Sequence, residues 1–175
     1  MKNTVLLVVD MQEALVKHNP FNKETTIENI ELLIKHCRAK NIEVIYIRHD
    51  GGIGDELEFG SEGWQIHRKI APIDGEKIIE KRYNSAFKNT ELKDYLDERN
   101  IETIILVGMM TEYCMDATCK VAFEYGYNLI IPEETNTTCD NEYMSGKEIY
   151  EYYNSKIWKN RFAKLEKVKE LINIY

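Results

Sequence analysis

The chain has 175 residues, the length of one domain, with enough interior to bury a core. Hydrophobic residues make up 43 % of it, and no apolar run approaches the roughly 20 residues of a membrane span. Lys plus Arg number 23 against 30 for Asp plus Glu, a net charge of −7, which argues against the basic surface that general nucleic-acid binding needs. The first apolar run, Val5–Val9, is too short for a secretory core and is followed by no small-residue cleavage site. Cys37, Cys114, Cys119 and Cys139 form no CxxC pair and no disulfide framework. The expectation is a cytoplasmic protein with one domain over residues 1–175 and no nucleic-acid or membrane partner.

Thr4–Val9 is a continuous apolar, β-branched run, the pattern of a strand buried on both faces, and Asp10 ends it. Between Asn22 and Lys40, Ile27, Ile30, Leu33, Ile34 and Cys37 keep a helical period, with Thr25 or Thr26 as the N-cap. Ile42–Ile47 reads as a second strand. An irregular stretch from Arg48 to Glu76 then carries six of the nine glycines, and a loop that long in a compact domain is more often functional than idle. Lys77–Glu80 predicts a third strand and Thr90–Arg99 a helix capped by Thr90. Thr103–Val107 predicts a fourth strand ending at Gly108. Glu112–Tyr125 predicts a helix closed by Gly126, and Asn128–Ile131 a fifth strand. Ser145–Asn160 is a further helix, and the spacing of Trp158, Phe162, Leu165, Val168 and Ile172 also fits a helix. Strands alternating with helices mean a parallel sheet with crossover helices.

Ligands of open α/β sheets sit beyond the carboxyl ends of the strands. Asp10, Lys81 and Cys114 all stand at or just after such ends. Each has an ordinary reading alone: a turn residue, a solvated charge, a small core thiol. Together they are an acid, a cation and a nucleophile at one sheet edge. A thiol must ionise to attack, and a helix start and a nearby Lys both favour the thiolate, so Cys114 is expected to be the most acidic and reactive cysteine. The loop after the second strand offers His49 and Asp50, adjacent residues that an extended backbone points to opposite sides, and no metal-ligand spacing survives there.

Five segments carry a resemblance. LLVVDMQ (6–12), RHDG (48–51), GWQIH (63–67), EKRYNSAF (80–87) and LVGMMTEYCMDATCKVAFEYGYNLIIPEE (106–134) resemble, in this order and spacing, the isochorismatase-like family of cysteine hydrolases. The resemblance implies an α/β, Rossmann-like three-layer sandwich, with a six-stranded parallel sheet of order 3-2-1-4-5-6 and helices on both faces. It implies a sixth strand near Ala163–Glu166, against the helical period there, and a cis peptide between Met109 and Met110. Asp10 would be the acid/base, Lys81 the cation and Cys114 the nucleophile, with the backbone N–H groups of Met110 and Cys114 as the oxyanion hole.

The implied activity is hydrolysis of a C–N bond in a small carboxamide, ureide or lactam through a thioester, with no cofactor and no metal. The alternatives are a nicotinamidase-like, metal-assisted amidase or a catalytically idle homologue that binds a ligand or senses redox state. Leu15, Tyr83, Phe87 and Tyr113 lie near the triad in sequence, and Trp64 lies in the long loop; these are the expected pocket walls. Gln12, two residues after Asp10, lies close to the triad in sequence, with backbone hydrogen bonding as its ordinary reading. The aromatic segment from Tyr143 to Phe162, with the family's habit, predicts a homodimer or higher homo-oligomer.

Overall fold

Six consecutive buried residues, Thr4–Val9, form β1 in the middle of a parallel sheet. The computed structural model describes residues 3–174. After β1 come α1 (Glu13–Lys17), α2 (Lys23–Ala39), β2 (Glu43–His49), β3 (Lys77–Lys81), α3 (Leu92–Glu98) and β4 (Thr103–Met109). The second half adds α4 (Asp116–Glu124), β5 (Asn128–Pro132), β6 (Asn136–Thr137), α5 (Gly146–Tyr152), β7 (Lys164–Glu166) and α6 (Val168–Ile174).

The sheet runs β3-β2-β1-β4-β5-β7, and β6 pairs with the end of β4. This is the expected order with one more strand than the six expected. The extra strand has only two residues, with no apolar run to announce it. At Lys164–Glu166 the chain is a strand, so the helical period across that segment fails. The helix it suggested begins only at Val168.

Alternate side chains of the strands feed two cores, as the period of an extended chain requires. Val5, Leu7 and Val9 pack with Leu92, Leu96, Met115, Cys119 and Trp158 on one face. Leu6 and Val8 pack with Ile27, Ile30, Leu33 and Ile34 of α2 and with Val168 and Leu171 of α6 on the other.

Several boundaries moved for local reasons. Asn22, in a left-handed conformation at φ 52, precedes α2, so Thr25 and Thr26 lie inside the helix rather than at its cap. Thr90 accepts from the Leu92 N–H, but α3 itself begins at Leu92. The helix expected from Glu112 opens as a π-turn, Thr111–Met115, before α4. Ser145 caps α5 in a reciprocal capping box with Glu148, and the helix then widens into π geometry over Tyr153–Trp158.

Candidate active site

Four side chains reach one point above the carboxyl ends of β1, β2, β3 and β4. Asp10 follows β1 with φ 51, a left-handed conformation that a short polar residue tolerates. Its N–H donates to Ile47 O at 3.0 Å, which anchors the turn to β2. His49 and Lys81 end β2 and β3 and stand opposite each other in the parallel register. Cys114 sits in the π-turn after β4. That turn starts after a cis peptide between Met109 and Met110, as the resemblance implied. Gly108 has to be glycine, because a Cβ there would lie 2.0 Å from Val9 O. Behind the turn, Thr111 Oγ1 donates to Asn136 Oδ1 at 2.9 Å, and Asn136 bonds Asn154. The short β6 therefore braces the turn that carries the thiol.

The centre of the site is an ammonium. Lys81 Nζ, with its side chain fully buried, lies 2.6 Å from Asp10 Oδ2, 3.0 Å from His49 Nδ1 and 3.3 Å from Cys114 Sγ. Three N–H donors thus meet three acceptors, the condition under which a buried charge recovers its desolvation cost. The second carboxylate oxygen, Asp10 Oδ1, is buried and has no hydrogen-bond partner among the described residues. Cys114 Sγ accepts from Lys81 and makes a long 3.9 Å contact as donor to Asn84 Oδ1, a weak bond that the S–H can leave to turn toward Asp10 Oδ1.

The thiol is not the acidic group expected from sequence. Burial first, and then the negative charge of Asp10, push Cys114 up to about 12; Lys81 pulls the other way and loses. The correction has a plain cause, since the lysine's charge is already answered by Asp10. His49 is held below its usual 6.5, by burial first and then by Lys81. A lysine ammonium only donates, so His49 Nδ1 accepts and the proton of the neutral ring is on Nε2.

Gln12, fully buried, fixes the His49 backbone from both sides. Its Oε1 accepts from His49 N at 2.8 Å, and its Nε2 donates to His49 O and Trp64 O, each at 2.9 Å. Of the two readings of Gln12, the structure shows the backbone one, and these bonds hold the end of β2.

A cavity of about 180 Å³ opens over this centre. Asp10, His49, Asn84 and Cys114 supply its polar lining, and Leu15, Leu57, Met109, Met110 and Tyr113 its apolar walls. Of the expected walls, Leu15 and Tyr113 are there. Trp64 is 5 % exposed and lies elsewhere, with the Arg48 guanidinium 3.3 Å from its ring centroid and Phe59 tilted against it at 4.6 Å between ring centroids. Phe87 is buried in the core beside Tyr125 and Tyr127. Tyr83 faces solvent under Lys88. His49, Leu57, Asn84 and Met109 were missed as lining residues. The signal for His49 was its place at the end of β2, opposite Lys81.

Asp10, His49 and Cys114 bring donor atoms within 4.8 Å of one another, a grouping that can hold a metal ion. The donor set does not fit one here, because the Lys81 ammonium occupies the point on which all three converge. Asp50 turns away to Arg82, at 2.6 Å, and His67 Nδ1 accepts the Lys69 N–H at the short turn Arg68–Ile70 within the long loop.

The model of the isochorismatase domain matches residues 4–150. The chain belongs to the isochorismatase family. Like other members of that family it is a hydrolase. It is 33 % identical over 130 residues to N-carbamoylsarcosine amidase of an Arthrobacter species, with 64 % of this chain and 49 % of the relative covered. Streptothricin hydrolase of Streptomyces noursei is 27 % identical, over 77 % of this chain and 50 % of the relative. The chain thus spans about half the length of these two curated relatives. The crystal structure of an isochorismatase family protein superposes with a TM-score of 0.88 at 28 % identity, covering 94 % of this chain and 98 % of that one.

Proposed function

We propose that this chain hydrolyses the C–N bond of a small carboxamide, ureide or lactam through a thioester on Cys114. The observation that carries the reading is the single ammonium of Lys81 bonded to both Asp10 and Cys114 at the floor of a small cavity. The named activities of the amidase and the streptothricin hydrolase support the choice of bond.

Asp10 Oδ1 takes the thiol proton as the substrate carbonyl arrives. Because the thiol is held protonated at neutral pH, ionisation and attack belong to one event. The Met110 and Cys114 N–H groups receive the developing oxyanion. Asp10 then gives its proton to the leaving nitrogen. It takes one back from the water that cleaves the thioester, which regenerates the thiol and releases the acid. Lys81 keeps the Asp10 carboxylate and the sulfur in place through these steps.

The chain acts as one domain over its length, and as at least a homodimer. Ile53, 98 % exposed in the long loop, and Tyr143, 86 % exposed, support an assembly. The aromatic segment supports it less than its sequence suggested, since Trp158 is fully buried and Tyr150 packs on Phe21. Sedimentation at micromolar concentration tests it; a species of 20.6 kDa overturns it.

The test of the chemistry is mass spectrometry of the protein mixed with a library of small amides, ureides and lactams. The expected result is an acyl adduct on the peptide containing Cys114, with release of ammonia or amine that survives prolonged EDTA. Turnover without any adduct in rapidly quenched samples, or turnover retained in Cys114→Ala, overturns the reading.

A further inference from the structure

We propose that His49 is a substrate-facing donor of this site, and that its Nε2–H binds an acceptor atom of an uncharged substrate beside the scissile carbonyl. The inference rests on the thioester reading and adds to it what the cavity selects.

The ring is held at every other point. Gln12 grips both the N–H and the C=O of His49, and Lys81 donates to Nδ1 at 3.0 Å. That bond forces the proton onto Nε2, which has no hydrogen-bond partner among the described residues, and the ring lines the cavity. A preorganised donor with no protein acceptor is a binding element for a ligand. Burial and the neighbouring ammonium keep the ring neutral, so it offers a hydrogen bond and no charge.

The rest of the lining agrees. Lys81 spends its three protons on Asp10, His49 and Cys114, and Arg82 turns to Asp50, so among the described residues lining the cavity no cation is left to receive a substrate carboxylate. Leu15, Leu57, Met109 and Met110 make the remaining wall mostly apolar. A site that donates one fixed hydrogen bond favours a substrate carrying an oxygen or nitrogen acceptor there over one with a methylene in its place.

A matched pair of esters tests this: p-nitrophenyl methoxyacetate and p-nitrophenyl butyrate, whose acyl groups differ by an ether oxygen in place of a methylene. Each acylates Cys114 by forming the S–C bond and breaking the bond between the carbonyl carbon and the aryloxy oxygen. The thiol proton passes to Asp10, and p-nitrophenolate leaves and is read by its absorbance. The ratio of the two acylation rates is divided by the same ratio for N-acetylcysteine, which removes intrinsic reactivity.

The native protein is expected to prefer the methoxyacetyl ester by about fivefold or more beyond the solution ratio, the size of one net hydrogen bond. His49→Asn keeps an acceptor for Lys81 but loses the donor in the cavity, and the excess preference should vanish. His49→Gln keeps a donor near Nε2 and should restore part of it, mainly through KM. A purely structural histidine would give the reverse order, with Asn better than Gln for both esters.

No excess preference in the native protein overturns the inference, whatever the variants do, as does an excess retained in folded His49→Asn. If the native protein leaves no acyl group on Cys114 with either ester, the thioester reading itself falls. Acyl transfer with equal preference removes only the role of His49.

Discussion

The two ends of the sheet differ in a way that cavity size conceals. At the amino ends of β1, β4 and β5 lies a cavity of about 560 Å³, lined by residues such as Thr103, Phe123, Asn128 and Arg161. At the carboxyl ends the cavity is about 180 Å³, yet Asp10, His49, Lys81 and Cys114 converge on its floor. The larger hollow is the gap between a strand edge and the Asn160–Lys164 turn. The smaller one holds a buried charge network with one unpaired carboxylate oxygen. Volume alone points to the wrong end; convergent polar groups point to the right one.

The contrast breaks most directly at the thiol. Cys114→Ala should reduce amide turnover to background while circular dichroism stays native. Asp10→Asn should cost at least about a hundredfold in kcat, because the proton acceptor is gone. Retained turnover in either variant would move the chemistry away from this end of the sheet.

Lys81→Ala should be the next largest loss, and it differs in kind. It strips Asp10 of its counter-ion in a dry site, so activity should fall together with about 3–5 kcal/mol of stability, read by urea denaturation. Lys81→Arg should not rescue it, since a planar fork does not match three acceptors around a point ammonium.

A third expectation concerns protonation. With Cys114 pushed up to about 12, its alkylation by iodoacetamide should rise close to tenfold per pH unit from pH 7 to 10, without a plateau. A plateau near neutrality would show a preformed thiolate. The smallest effect belongs to the other end: Phe123→Ala or Arg161→Ala should leave kcat/KM within about twofold, because surface changes away from the chemistry seldom reach it.

The central strands were legible because β1, β2, β4 and β5 are apolar runs long enough to be buried on both faces. Asp10, Lys81 and Cys114 were legible as strand-end residues, and the structure brings them together. Asn136–Thr137 was not legible, because β6 exists through hydrogen bonds to the end of β4 and to Asn154 rather than through hydrophobic pattern. The π-turn at Cys114 was hidden for a related reason: apolar spacing does not distinguish a widened turn from an ordinary helix start. Trp64 looked like a pocket wall because aromatic residues in loops serve binding well. Its cover comes from Arg48, a contact between a strand end and a loop that no local pattern encodes. The direction of the Cys114 shift needed the distance from Lys81 to Asp10, which shows the cation already spent.

Gln12 carries a consequence for how such a protein can change. One amide side chain joins the end of β1 to the end of β2 and to the loop at Trp64, so the chain between residues 51 and 63 leaves and returns through two pinned ends. Insertions, deletions or wholesale exchange of the Gly51–Glu62 segment would be absorbed outside those pins, without displacing the imidazole or the ammonium beneath. The architecture separates a variable rim from an invariant floor, which makes this stretch the natural graft point for giving one hydrolytic centre a different diet.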